Sequence, residues 1–151
     1  MGENICENRK AWHDYEILDT IEAGIALKGT EVKSLRTGRV DMRDCYALVK
    51  NSEIFLIGFH IPPYSHGNIH NVEPLRTRKL LMHRAEIKRL EAETQQKGHV
   101  LIPLNLHWNN RNVAKVSLAI CKAKKAHDKR ADIKKRDAKR EIDRAVKARV
   151  R

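Results

Sequence analysis

The clearest periodicity in the chain lies between positions 99 and 120. Val100, Ile102, Leu104, Leu106 and Trp108 alternate with His99, Leu101, Pro103, Asn105 and His107. After Asn109-Asn110-Arg111-Asn112 a second alternating run passes through Val116, Leu118 and Ile120. Alternation at period two turns one face of a strand to a core and the other to water, so the spacing predicts a half-buried β-hairpin. Residues 15–27 carry Tyr15, Ile17, Ile21, Ile25 and Leu27, a further strand-like run in which Gly24 marks a bulge or bend. Residues 45–50 and 53–61 flank Asn51-Ser52 as strand, turn and strand. Pro62-Pro63 stops the second of these strands and opens a loop over 64–74.

Two segments read as helices. Thr30 is a suitable N-cap for residues 30–36, Glu31 suits the positive end of that helix dipole, and Gly38 can end the turn. Residues 82–97 place Ile87 and Leu90 on one face, with Glu86/Arg89 and Glu93/Lys97 as favourable pairs and Gly98 as the C-terminal cap. Residues 1–7 read as a loose leader. Several strands at short spacing with interposed helices predict a mainly β domain over 1–122, a small antiparallel β-barrel with about two to three outer helices.

Charge changes the picture at the C-terminus. Residues 122–151 hold fourteen Lys/Arg against five Asp/Glu and no Gly, Pro or aromatic residue, which accounts for nine of the formal net charge of +12. Ile133, Ala138, Ile142, Ala145 and Val146 recur at near-helical spacing there, and Asp132/Arg136 and Asp143/Lys147 are i,i+4 pairs. Such a segment can form a helix but buries too little to offset its chain entropy. Residues 123–151 are therefore expected to be a basic tail, disordered alone and helical when docked. A near-neutral body with a basic arm suits a polyanionic partner, and a pI near 9.9 favours nucleic acid over acidic small molecules.

Other chemistries find little support. No apolar run approaches the ~20 residues of a spanning helix, no signal-peptide h-region is visible, and three widely spaced cysteines argue for a reducing cytoplasm rather than a disulfide framework. There is no phosphate-binding Gly-rich loop, no nucleophile elbow and no HExxH. His60, His66 and His70 gather near one loop, but Pro62-Pro63 and Gly67 deny it the helix that would align them on a metal. No cofactor, metal or catalytic residue is expected.

Four local patterns remain: Asn8-Arg9-Lys10-Ala11-Trp12-His13-Asp14-Tyr15; Glu22-Ala23-Gly24 followed by Gly29-Thr30-Glu31-Val32-Lys33-Ser34-Leu35-Arg36; Pro74-Leu75-Arg76-Thr77-Arg78-Lys79-Leu80-Leu81-Met82-His83; and Lys124-Lys125-Ala126-His127-Asp128-Lys129-Arg130. In this order and spacing they closely resemble the SsrA-binding (SmpB) family, partners of transfer-messenger RNA in bacterial rescue of stalled ribosomes. The resemblance implies an oligonucleotide-binding (OB-type) barrel that holds the tRNA-like domain of that RNA. It also implies a tail that enters the decoding centre and empty mRNA channel of the small ribosomal subunit, and a cytoplasmic protein that is monomeric when free.

Residue by residue, the resemblance assigns RNA binding to His13, Glu22, Leu81 and His83, the last standing where the family often has asparagine. Lys33, Arg36, Arg76, Arg78 and Lys79 are candidate phosphate partners. Without the resemblance, Glu22 reads as a solvent-exposed strand acid and Leu81 as core. Trp12 covers apolar surface or stacks on RNA. In the tail, His127 matches a family position that stacks on a decoding-centre base, Asp128, Lys129 and Arg130 match its Asp-Lys-Arg motif, and Lys124 and Lys125 fit phosphates. Ala123 stands where the family usually has glycine, which puts the tail's trajectory in question. The alternative is a ribosomal or ribosome-assembly protein with a basic rRNA-binding arm.

Overall fold

The computed structural model describes residues 3–37, 40–65, 71–124 and 126–150, with side chains in the last segment described for 130 and 133–147. In chain order the elements are β1 (Asn4–Glu7), α1 (Arg9–Asp14), β2 (Tyr15–Ile25), α2 (Gly29–Thr37), β3 (Tyr46–Lys50), β4 (Glu53–Ile57), β5 (Arg78–Leu81), α3 (Arg84–Lys97), β6 (Val100–Trp108), β7 (Ala114–Ala123) and α4 (Ala126–Val150). The strands pair in the order β1-β6-β3-β4-β5-β2-β7, and β6 also pairs with β7. Every pairing is antiparallel. The expected mainly β architecture with outer helices is present.

The β6–β7 hairpin turns on Asn109, whose Oδ1 accepts from the Arg111 and Val113 amides at 2.9 Å. Between β3 and β4, Asn51 and Ser52 both take positive φ, 52° and 61°, which matches the right-handed twist of the flanking strands. Burial along β6 does not follow simple alternation. Register shifts at Leu104 in β6 and at Leu18 in β2 switch which face each strand turns inward. Ahead of the shifts, Ile102, Leu104, Ala119 and Cys121 pack with Ile17 and Tyr15 under Ala11 of α1. Beyond them, Ile21, Ala23, Ile25, Leu106, Val116 and Leu118 join the main core with Ile54, Leu56, Phe59 and Leu80. Val100, counted with the inward set from its spacing, is exposed.

Gly24 is not the bulge. Strand β2 runs through it, with Leu81 of β5 on one side and Lys115 of β7 on the other. A Cβ there would lie 3.2 Å from Leu81 Cβ, so the glycine permits a close strand approach.

Within the segment read as a loose leader, the described residues include a strand. Residues 4–7 form β1 on β6, because β6 shares only the Ala47↔Leu101 pair with β3 and leaves its edge open further along. Asn8 fills the gap between β1 and β3. Its backbone N–H donates to the Leu104 carbonyl at 2.7 Å, its Nδ2 donates to Pro103 O at 3.0 Å, and its Oδ1 caps α1 at Ala11 N.

Helix α3 begins with the His83 N–H donating to Glu86 Oε1 and ends at Gly98 with φ 67°. Its buried face carries Ile87 and Leu90, as the spacing requires. Glu93 pairs with Lys97 as expected, but Glu86 serves the cap, and Arg89 reaches across to Asp19 of β2. Burial pushes the Cys45 thiol up to about 12 and the Cys121 thiol up to about 11, so both act as small apolar core groups.

Candidate RNA-binding surface

Of the five basic residues considered as phosphate partners, one is excluded by its position. The Arg78 side chain is 0% exposed. Alternation along β5 turns Arg78 and Leu80 inward while Lys79 and Leu81 face out. The Arg78 guanidinium donates from Nε to Glu31 Oε2 at 2.6 Å, from Nη1 to the Phe59 and Arg76 carbonyls, and from Nη2 to Pro74 O. It therefore ties β5, α2 and two loops together and cannot reach a ligand. Glu31, placed by sequence at the positive end of a helix dipole, is the partner that makes this burial possible. Thr30, expected as the N-cap, lies inside α2, and the N–H that Glu31 receives at that end comes from Lys28 at 2.8 Å. Burial pushes the Glu31 carboxyl up, but hydrogen bonds from Arg76, the Lys28 amide and Arg78 outweigh it and hold the group below its usual range. Arg76 is partly committed to the same acid, with Nη2 at 2.6 Å from Glu31 Oε1.

The other barrel candidates stay accessible. Leu81, which sequence alone assigns to the core, is 53% exposed. It sits beside Gly24, two positions from Glu22 on the same outward face of β2. Lys79 is exposed and reaches Glu53 at 3.4 Å. On α2, Lys33 lies 5.7 Å above the Tyr64 ring and Arg36 lies 5.2 Å above that of Trp108. His83 is exposed at the start of α3.

The face continues across three strands. Glu22 is opposite Ser117 of β7, which is opposite Asn105 of β6, and His107 is opposite Lys115. His107 Nε2 is 3.2 Å from Glu22 Oε1, and its Nδ1 is 2.9 Å from Asn105 Oδ1. Sequence reasoning passed over Asn105, His107, Lys115 and Ser117 because they read as the polar half of an alternating hairpin. The signal that could have found them is two adjacent polar positions, Asn105 and His107, sharing one side of a strand.

His13 is elsewhere. It ends α1 with Nδ1 2.8 Å from Asp14 Oδ1, and seven residues of strand, roughly 23 Å at the usual rise, separate Tyr15 from Glu22. The structure groups His13 with the root of the tail. Lys124 donates its backbone N–H to Asp14 O at 3.0 Å and its Nζ to Trp12 O at 3.1 Å. Ala123 closes β7 opposite Tyr15. Among the described residues only Asn51, Ser52 and Asn112 are non-glycine positions with positive φ, so alanine fits at 123 without strain. Lys125 lies outside the described residues, as do the side chains of His127, Asp128 and Lys129. Arg130 is exposed on α4, where side chains 133–147 are all exposed too. His66 and His70 also lie outside the described residues, and among those described no group of three or more His, Cys, Asp or Glu could hold a metal ion. No described helix is long and apolar enough to cross a membrane.

A closed order of short antiparallel strands, a polar outward face flanked by exposed cations, and a basic exposed helix define a nucleic-acid-binding protein of the small β class. The family described as SmpB protein matches residues 5–148, and the chain belongs to it. It is similar to the SsrA-binding protein of Acetivibrio thermocellus, 58% identical over 147 residues that cover 97% of this chain and 95% of that one. The SsrA-binding protein of Clostridium perfringens is 54% identical, covering 99% and 96%. A chain of the solved structure "tmRNA-SmpB: a journey to the center of the bacterial ribosome" superposes with a TM-score of 0.67 at 52% identity, covering 80% of this chain and 85% of that chain.

Proposed function

We propose that this protein is the RNA-binding adaptor of trans-translation in its cell. It binds the tRNA-like domain of transfer-messenger RNA, carries it to stalled ribosomes in the cytoplasm, and does no covalent chemistry itself. The ring of strands acts as an OB-type barrel, with residues 1–122 as the RNA-binding body. Residues 123–151 act as a tail that orders on the small subunit only when the mRNA channel is empty, which couples folding to recognition. The free protein is a monomer.

The observation that carries this reading is the exposure of Glu22 and Leu81 on one face, either side of Gly24. Both residues, singled out for RNA binding, are exposed on adjoining strands with Gly24 between them. A leucine exposed beside a glycine gives a flat apolar spot on which a nucleobase can lie. The neighbouring carboxylate accepts from 2′-hydroxyls or exocyclic amines, groups that unstacked RNA presents. Lys33, Arg36 and Lys79 supply the phosphate contacts, and Arg76 supplies one with the part of its guanidinium that Glu31 leaves free.

The test is binding of the purified protein to transfer-messenger RNA at physiological salt with excess ordinary tRNA as competitor. Affinity that survives the competitor is expected. Collapse to the level of generic tRNA overturns the reading in favour of a ribosomal protein with a basic arm.

A further inference from the structure

The polar cluster on β2, β7 and β6 has a chemistry distinct from the basic residues around it. Glu22, Ser117 and Asn105 lie side by side across three strands, and His107 bridges two of them. The His107 side chain is 20% exposed and the Glu22 side chain 57%, so the ring is largely packed while the carboxylate stands in solvent. We infer that His107 and Asn105 form with Glu22 a hydrogen-bonding cluster that reads donor groups of unstacked RNA nucleotides, with His107 as the residue that positions the Glu22 carboxylate. This rests on the function proposed above.

Three physical points support it. A carboxylate accepts hydrogen bonds only and repels phosphate, so an outward Glu on an RNA-binding face is matched to the sugar 2′-hydroxyl or to a base amine. A free glutamate side chain loses rotamer entropy when it is fixed by a ligand. Holding Oε1 on His107 lowers that cost in advance and leaves Oε2 for the ligand. Finally, the cluster is poor in positive charge. Lys115 is its cation, opposite His107, whereas Lys79, Lys33 and Arg36 lie on β5 and α2. It should therefore contribute to affinity without contributing to counterion release.

That last property separates a reading role from a general electrostatic one. The experiment measures affinity for transfer-messenger RNA across a salt series for the full chain, for His107→Phe, His107→Gln, Glu22→Gln and the Glu22→Gln/His107→Phe double variant, and for Lys79→Gln. His107→Phe is expected to bind roughly tenfold more weakly, the scale of one charge-assisted hydrogen bond. His107→Gln, which keeps a donor toward Glu22, should recover most of that loss. The double variant should bind no more weakly than Glu22→Gln alone, because the histidine acts through the glutamate. The slope of log affinity against log salt should stay at the wild-type value in all four, and fall only in Lys79→Gln.

Wild-type affinity in His107→Phe, losses that multiply in the double variant, or a changed salt slope would each overturn the inference while leaving the adaptor function standing. A wild-type protein that cannot hold this RNA against ordinary tRNA removes both. Single 2′-deoxy substitutions and inosine-for-guanosine substitutions along the unpaired nucleotides of the tRNA-like domain separate the two donors. The one whose penalty disappears in Glu22→Gln is the group being read, and a scan in which no penalty disappears rejects the cluster as a reader.

Discussion

At the scale of single residues, neighbours of the same type do opposite work. Arg76, Arg78 and Lys79 form one basic run in the sequence, yet Lys79 faces water, Arg78 is wholly enclosed and Arg76 shares Glu31 with it. Strand alternation separates 78 from 79, but nothing local says that an arginine belongs inside. That depends on Glu31, forty-seven positions earlier. Replacing Arg78 with Met leaves Glu31 buried without its fully enclosed partner and the carbonyls of Phe59 and Pro74 without their donor, and is expected to cost about 3–5 kcal/mol of stability. Lys79→Gln should leave stability unchanged within ~0.5 kcal/mol and lower the salt slope of RNA binding by ~0.7–0.9. Denaturant unfolding and salt titration of both variants check this pair of outcomes. The same triad sets an acid response. Because the Glu31 carboxyl is held below its usual range, its stabilising contribution is complete above the unfolded value of ~4.3 and is lost as pH falls through the folded one. Unfolding free energy measured from neutral pH downward should decline in that acid window, and Glu31→Gln should flatten the decline.

Elements show how pattern becomes placement. Apolar runs and the turns between them identify β2, β3, β4, β6 and β7, helical spacing identifies α3, and helix-end residues identify α2, each within a few residues. Strand β1 escapes because Asn4-Ile5-Cys6-Glu7 is too short to show alternation, and β5 because its four residues lie inside a basic motif. Their pairing is decided by open edges on β6 and between β4 and β2, which are tertiary features. The close approach of β2 and β5 at Gly24 depends on the missing side chain. Gly24→Val is expected to push Leu81 outward, cost about 1–3 kcal/mol and weaken RNA binding together with stability. Thermal unfolding read beside RNA affinity checks that the two effects move together. The tail helix α4 buries no described side chain along 133–147, so its order should depend on a partner. Circular dichroism of an isolated 123–151 peptide should show little helix in buffer and a rise when small ribosomal subunits are added.

For the whole molecule, the division of labour between body and tail is the property to test. Deleting 123–151 should leave binding to transfer-messenger RNA near the wild-type level and abolish peptide tagging on stalled ribosomes. His127→Ala in the full chain should do the same to a lesser degree, and an in vitro tagging assay beside an RNA-binding assay reads both. The chain's own order of residues determined the positions of β2, β3, β4, β6, β7, α2 and α3, the basic tail and the family, because periodicity, charge and motif spacing are local and survive without coordinates. What only the tertiary structure decided is which polar residues meet: Arg78 against Glu31 in the interior, His107 between Glu22 and Asn105 on the outer face, Lys124 against α1, and His13 at the far end of β2 from the cluster it was grouped with. Those contacts join strands and helices far apart in sequence. Their geometry follows from bulge positions and the closure of the sheet, which no window of neighbouring residues contains.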